Sequence, residues 1–342
     1  MKRKGVLFLL STVLLALSVL IGCSGSGGNS ETGGGSGDDD KPTYEFRLAE
    51  THAPDYPTTL ADKHFAELVF ERSDGRIKID VFPSAALGEE AAVIEQVQLG
   101  AIDFTRTSAG PLAEFNKDYA VFSLPYIFDS DEHVWNFLLS EHGDQLLDSL
   151  ESSSMIGLAY YSSGARHFYS TDPVTSLEDL QGQKIRVQQN AVNIDLIEAL
   201  GASATPMAFG EVYSGLQTGV IDAAENNYPS YYSTGHYEVA PHYILDGHQR
   251  VPEVLMVSSN TWDKLSEEDQ EIIRTAAKDS IDFQREEWAK FEELAEEEVR
   301  AAGVTITEVE DVSVWQEAVQ SVLEKHGEEH REILDAIDAS RP

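Results

Sequence analysis

The chain has 342 residues, 60 of them acidic and 24 basic, with a formal net charge of -36 at pH 7. A surface of that sign repels nucleic acid and anionic membrane faces, which excludes both as partners. The acids run the length of the chain without one acidic block, as on a protein that lives in concentrated salt, where the Debye length falls to about 3 Å. One cysteine in the whole chain rules out an intramolecular disulfide framework and a thiolate metal cluster.

Met1-Lys2-Arg3-Lys4 precedes an uncharged apolar run from Val6 to Ile21, the layout of a secretory signal. The run is short of the roughly 20 apolar residues that span a bilayer. It ends at Leu20-Ile21-Gly22-Cys23, small residues before the lone cysteine, as a lipoprotein signal peptidase requires. Residues 1–22 are therefore expected to be a signal peptide, and Cys23 the lipidated N-terminus. Residues 23–41, rich in Gly, Ser and Asp, read as a flexible tether. This places the protein outside the cytoplasm, held to the membrane by its lipid alone.

Tyr44 to Leu48 reads as a strand, and Ala61, His64, Phe65, Leu68 and Val69 then recur at helical spacing. Ser73-Asp74-Gly75 is a turn, Ile77 to Phe82 a strand, Glu89 to Leu99 a helix ended by Gly100, and Ala101 to Thr105 a third strand. Strands separated by helices predict βαβ units and a mostly parallel sheet. The rhythm returns after Phe168, with a short helix from Ser176, a strand over Lys184 to Gln188 and a helix from Asn193 to Leu200. Ser266 then caps a helix running to Gly303, about 50 Å at 1.5 Å per residue, with Ile272, Ile273, Ala276, Trp288, Phe291 and Leu294 as its buried stripe. The roughly 300 residues after the tether suffice for two α/β lobes, and a helix that long can brace both.

Against so acidic a background, basic residues in apolar surroundings stand out. Arg166 follows Ser163-Gly164-Ala165, and Arg186 sits inside Lys184-Ile185-Arg186-Val187, where alternation puts Lys184 and Arg186 on one face. A guanidinium held in a cleft offers a planar fork that matches a carboxylate. A structural ion pair with one of the many acids fits the same local sequence equally well.

Leu180-Gln-Gly-Gln-Lys-Ile-Arg186-Val-Gln-Gln, followed by Leu200 to Asn226 with Pro206-Met-Ala-Phe209 and Asp222-Ala-Ala-Glu-Asn226, resembles the extracytoplasmic solute receptors of TRAP transporters. Phe82-Pro83, Leu87-Gly88-Glu89, Gly100-Ala-Ile-Asp-Phe104 and Leu124-Pro125-Tyr126 resemble the same family in the same order, so that the similarity spans about residues 44–304. It implies an α/β, two-lobed periplasmic-binding-protein fold with a ligand cleft between the lobes and the long helix bracing both. The expected lobes are residues 43–163 with about 252–290, and residues 164–251 with about 291–342. It also implies a binding protein, without catalysis, cofactor or metal, that serves a sodium-coupled pair of integral membrane proteins.

By the same resemblance Arg186 clamps the substrate carboxylate, Arg166 and Asn226 complete the anion site, and Phe209 packs a ring against the ligand. Thr51, His52, Glu90 and Ser108 are brought to the same cleft. Arg106 is either a ligand reader or a surface ion pair, and Gln188 and Asn227 supply neutral donors and acceptors. Arg186 to Asn190 with Ala224 to Tyr231 is similar to the branch that binds hexuronates such as glucuronate and galacturonate. Sialic acid, C4-dicarboxylates, other sugar acids and ectoine are the alternatives within the family, a chemoreceptor feeder shares the site, and an exported hydrolase of acidic sugars is the enzyme alternative.

Other signals carry less. His326-Gly-Glu-Glu329-His330 matches a zinc-protease pattern but lies in a Glu-rich tail with no third ligand. Glu89 and Glu90 are one acid pair among very many, and Trp135, Trp262, Trp288 and Trp315 read as core.

Overall fold

The computed structural model describes residues 43–342. The expected signal peptide, Cys23 and the tether lie outside the described residues. Along the chain the strands are β1 (Tyr44–Ala49), β2 (Ile77–Phe82), β3 (Phe104–Ser108), β4 (Met155–Tyr161), β5 (Arg166–Ser170) and β6 (Lys184–Val187). They continue with β7 (Ser203–Pro206), β8 (Ala223–Asn226), β9 (His242–Gln249), β10 (Glu253–Ser258) and β11 (Thr305–Glu308). They form two sheets, ordered β2-β1-β3-β10-β4 and β11-β9-β5-β8-β6-β7, one in each lobe.

Helix Pro57–Arg72 carries the chain from β1 to β2. Pro57 suits its first position, where an amide would lack a partner, and Ala61, Phe65 and Val69 bury its inner stripe. The crossover makes β1 and β2 parallel, in register from Tyr44 opposite Ile77 to Ala49 opposite Phe82. β3 starts three residues later than the sequence suggested. The Ala101 amide is taken by Gln96 O at 2.8 Å and closes the preceding helix, while the Asp103 carboxylate accepts from Arg47 N at 2.9 Å.

The sheets are mixed, with five parallel and four antiparallel strand pairings among the described residues. β1 is parallel to β2 and β3, and β6 to β7 and β8, but β10 runs antiparallel to both β3 and β4, and β5 to both β8 and β9. Parallel neighbours need a crossover of a dozen residues or more. The chain instead passes from β4 to β5, and from β9 to β10, through short links at residues 162–165 and 250–252 that carry it between the sheets and return it in the opposite sense.

The third crossing is the 35-residue helix Glu267–Ala301, about 52 Å at 1.5 Å per residue, capped by Ser266, whose side chain accepts from Asp269 N at 3.1 Å. Ile273, Ala276 and Ala277 join the apolar core that Phe46, Leu48 and Phe65 build under the first sheet. Further along, Ala295 and Val299 join the core of Tyr169, Tyr231 and Tyr243 under the second. One helix therefore braces both lobes. Leu294, expected on its buried stripe, is 43% exposed because the stripe turns onto Ala295 and Val299 there. All four tryptophans are buried. The last helix, Arg331–Ala339, packs back on helix Asp131–Leu138, where Ile337 O lies 2.7 Å from His133 Nε2.

Candidate functional site

Strand ends and helix starts from both sheets converge on one narrow cavity. From the first lobe come Thr51 and His52 just past β1, Glu90 at the first position of helix Glu90–Gln98, and Ser108 at the end of β3. From the second come Arg166 at the start of β5, Arg186 in β6, Gln188 just beyond it, Phe209 after β7, and Asn226 and Asn227 at the end of β8. These are ten of the eleven residues put forward as ligand contacts from the sequence. Ser163, Ser230 and Glu253 also line the cavity and were missed. Asn227 lies three residues before Ser230 and caps the next helix by accepting from Ser230 N at 2.8 Å, a pattern that could have drawn Ser230 in.

Arg186 is buried at 3% exposure, with its Nε and Nη2 fixed by Met207 O at 3.0 and 2.9 Å. Its Nη1 makes no hydrogen bond among the described residues, and the nearest acid oxygen, Glu225 Oε1, is 4.0 Å away. Burial pulls its pKa below the usual arginine value, and Glu225 and Arg166 act in opposite senses on it. The guanidinium carbon lies 6.0 Å from the centre of the Phe209 ring.

Arg166 has a partner of its own. Glu225 takes its Nε on one carboxylate oxygen and its Nη2 on the other at 2.9 Å, and the Glu225 carbonyl accepts from the same Nη2 at 3.1 Å. Burial alone would raise the Glu225 pKa, but Arg166 and His248 outweigh it and hold it at about 2. The structural ion pair left open by the sequence is thus found at Arg166, whose Nη1 alone is without a hydrogen bond among the described residues.

Arg106 is neither in the cavity nor in a surface ion pair. It is 1% exposed, with Nε 2.7 Å from Glu50 Oε2, Nη2 on Glu50 Oε1 and Nη1 2.5 Å from Glu253 Oε2. Glu50 is held at about 2 despite burial, chiefly by Arg106.

Hydrogen bonds link the lobes across the cavity. Gln188 Nε2 donates to Ser108 Oγ at 2.9 Å, Asn190 Nδ2 to Gly110 O at 3.2 Å, and the hydroxyls of Tyr56 and Ser230 meet at 2.9 Å. Phe209 meets His52 edge-on at 5.1 Å. In the tail, His326 Nε2 lies 2.5 Å from Asp195 Oδ2, and among the described residues no group of three or more His, Cys, Asp or Glu side chains is placed to hold a metal ion.

Two α/β lobes linked by short strand connections and closed over a polar cavity that carries buried arginines make up a solute-binding receptor. Residues 48–330 match the family described as bacterial extracellular solute-binding protein, family 7, and the chain belongs to it. A curated solute-binding protein of Chromohalobacter salexigens is 41% identical over 84% of this chain and 85% of its own. Among solved structures, a TRAP periplasmic solute-binding protein of Bradyrhizobium sp. BTAi1, in complex with α/β-D-galacturonate, is 42% identical with a TM-score of 0.84, covering 86% of this chain and 99% of that one. Another, from Pseudomonas putida F1 with bound D-glucuronate, is 37% identical with a TM-score of 0.85 over 86% and 97%.

Proposed function

We propose that this receptor captures a hexuronate, glucuronate or galacturonate, and delivers it to a TRAP-type importer. The observation that carries the reading is the opposite charge of the two cavity walls. The second lobe presents Arg186 with an uncommitted Nη1, beside Arg166. The first presents Glu90, whose Oε1 is taken by Ser108 N at 2.8 Å and whose Oε2 has no partner among the described residues, and Glu253. A ligand with one carboxylate and several hydroxyls satisfies both walls: the carboxylate meets the guanidinium and the hydroxyls donate to the acids. A second carboxylate would meet Glu90, and like charges buried together are costly. Ser108, Gln188, Asn226 and Asn227 offer the neutral partners a polyhydroxy ring needs, since a buried polar group left unpaired costs about 1 to 3 kcal/mol. The hexuronates bound by the Bradyrhizobium and Pseudomonas proteins support this choice.

The lobes close by pivoting about the links at residues 162–165 and 250–252, because bonds such as Gln188 to Ser108 exist only when the walls meet. Binding alone, without turnover, fits this geometry. The receptor is held outside the cytoplasmic membrane through a lipid on Cys23, which mass spectrometry of the membrane-bound protein would detect as a diacylglyceryl adduct. The function itself is tested by a thermal-shift and calorimetric screen of glucuronate, galacturonate, succinate and sialic acid. A ligand at 100 times its dissociation constant stabilises by about 2.7 kcal/mol. Preference for succinate, or cleavage of a uronate oligomer, would reject the reading.

A further inference from the structure

Resting on that reading, we infer that Glu253 carries a proton when the hexuronate is bound and donates it to a ligand oxygen, so that capture of the anion takes up a proton from solution.

Glu253 opens β10, is 4% exposed and forms part of the first-lobe wall. Its Oε2 accepts from Arg106 Nη1, and its Oε1 makes no hydrogen bond among the described residues. Arg106 serves more than one acid: Glu50 takes two of its nitrogens, Glu253 a third, and Glu90 Oε1 lies 3.8 Å from Nη1. Behind Glu50, on helix Pro57–Arg72, is Asp62, fully buried, with neither carboxyl oxygen hydrogen-bonded in the structure. Burial and then Glu50 drive its pKa well above the usual carboxyl range, so Asp62 is already neutral.

The remaining groups that face Glu253 do not relieve the excess. His52, past β1, is kept neutral by burial and by Arg106, with its pKa down at about 3. Tyr56, before the same helix, and Tyr161, opposite Glu253 on β4, are raised by burial and stay un-ionised. Arg166 feels Glu253 across the cavity, but Glu225 already pairs with it. Three carboxylates, Glu50, Glu90 and Glu253, thus share Arg106, and Arg186 on the facing wall acts on Glu90. Glu50 holds its two-point bond and Glu90 is tied to Ser108 N, so the next proton goes to Glu253. In agreement, burial, with Glu90 and Glu50 adding to it and Arg106 opposing, raises its pKa to about 7.

An arriving ligand carboxylate adds one more negative charge and offsets the field of Arg166, which interacts with Glu253 across the cavity. Both effects shift Glu253 further toward the acid. A protonated Glu253 keeps its acceptor oxygen toward Arg106 and turns an O–H donor into the cavity. No bond other than this O–H is made or broken, and the proton comes from buffer.

The test is calorimetry of D-glucuronate and D-galacturonate binding in buffers of different ionisation heat, at pH 6.5, 8 and 9. Uptake approaching one proton at pH 8 and a dissociation constant rising about tenfold between pH 8 and 9 are expected. Glu253→Gln keeps the shape and a donor but cannot titrate, so whatever its affinity, its binding should show neither proton uptake nor pH dependence. Tight binding without proton uptake overturns this inference alone. Uptake that persists in the Gln variant assigns the proton elsewhere, to His248 for example, and overturns it too. A Gln variant that folds but does not bind shows that a carboxylate is needed. Should that variant fail to fold, the proton count of the unaltered protein decides. Binding of neither hexuronate overturns the functional reading, and this inference with it.

Discussion

Glu225 Oε1 accepts from Arg166 Nη2 at 2.9 Å and stands 4.0 Å from Arg186 Nη1. A single buried carboxylate thus engages one cavity arginine on two points and leaves Nη1 of the other without a hydrogen bond among the described residues. The division of labour follows from β8 running between β5 and β6, which carry the two arginines.

Arg186→Ala is expected to reduce hexuronate affinity at least a hundredfold, about 3 kcal/mol, the scale of a lost pair of charge-assisted bonds. The melting temperature of the unliganded protein should hold, because among the described residues the only hydrogen-bond partner lost is Met207 O. Arg186→Lys should lose at least tenfold, since an ammonium cannot make the planar two-point contact. Calorimetry with a thermal melt on each variant decides, and affinity kept in the Ala variant would remove Arg186 from the site.

Glu225→Ala should act on the fold instead. It leaves Arg166 and Arg186 buried together without the carboxylate that stands between them, and His248 with Asp246 alone, and breaking a buried pair in this way costs about 3 to 5 kcal/mol. A fall in melting temperature on the order of 10 °C is expected for a protein of this size. A melt within a degree or two of the unaltered protein would show that the cluster is hydrated.

Stability should also fall between neutral and alkaline pH. His248 Nδ1 lies 2.8 Å from Asp246 Oδ2, and Nε2 is 3.8 Å from Glu225 Oε2. Burial pushes its pKa down, but Asp246 and then Glu225 prevail and raise it to about 9, against 6.5 for the unshifted imidazole. A group whose folded pKa is raised stabilises fully below its unfolded value and loses that contribution as pH climbs through the folded one. The loss therefore falls between about pH 6.5 and 9, and His248→Gln should flatten that part of the melting curve. Glu225 behaves in the opposite sense, with its contribution lost as pH drops from about 4.5 toward 2. Chemical denaturation at pH 6, 7.5 and 9 measures the His248 slope, and the same experiment at pH 5, 3.5 and 2 measures that of Glu225.

The parts of the site carried by short local stretches were legible in the sequence. Arg186 in a four-residue strand, Phe209 after Pro206 and Asn226 at a strand end all line the cavity, each within a motif of ten to thirty residues. The acid cluster was not legible, because Glu50, Arg106 and Glu253 are 56 and 147 positions apart and only the sheet brings them together. β10 escaped for a related reason. It is buried along its whole length, so Val254-Leu255-Met256-Val257 shows no alternation that would mark a strand. In the first sheet the mixed pairing followed from that omission, since β10 is the strand that runs against its neighbours there, as β5 does in the second.

Closure itself can be tested at Gly110, in the turn of helix after β3. A Cβ there would come 2.2 Å from Gln188 Oε1 and 2.8 Å from its Cδ, and both belong to the opposite lobe. The backbone of Gly110 is ordinary helix, so alanine does not strain its own lobe and can slightly favour the local turn. The substitution therefore opposes only the arrangement in which Gln188 reaches Ser108. Gly110→Ala should leave the unliganded melting temperature unchanged or a little higher while weakening ligand binding about tenfold, because a penalty confined to the closed form subtracts from affinity. With Gln188→Ala as background the same change should cost little, since the clashing atoms are gone. A double-mutant cycle measured by calorimetry separates the two effects, and an equal penalty in both backgrounds would mean that Gly110 acts on its own lobe and not on closure.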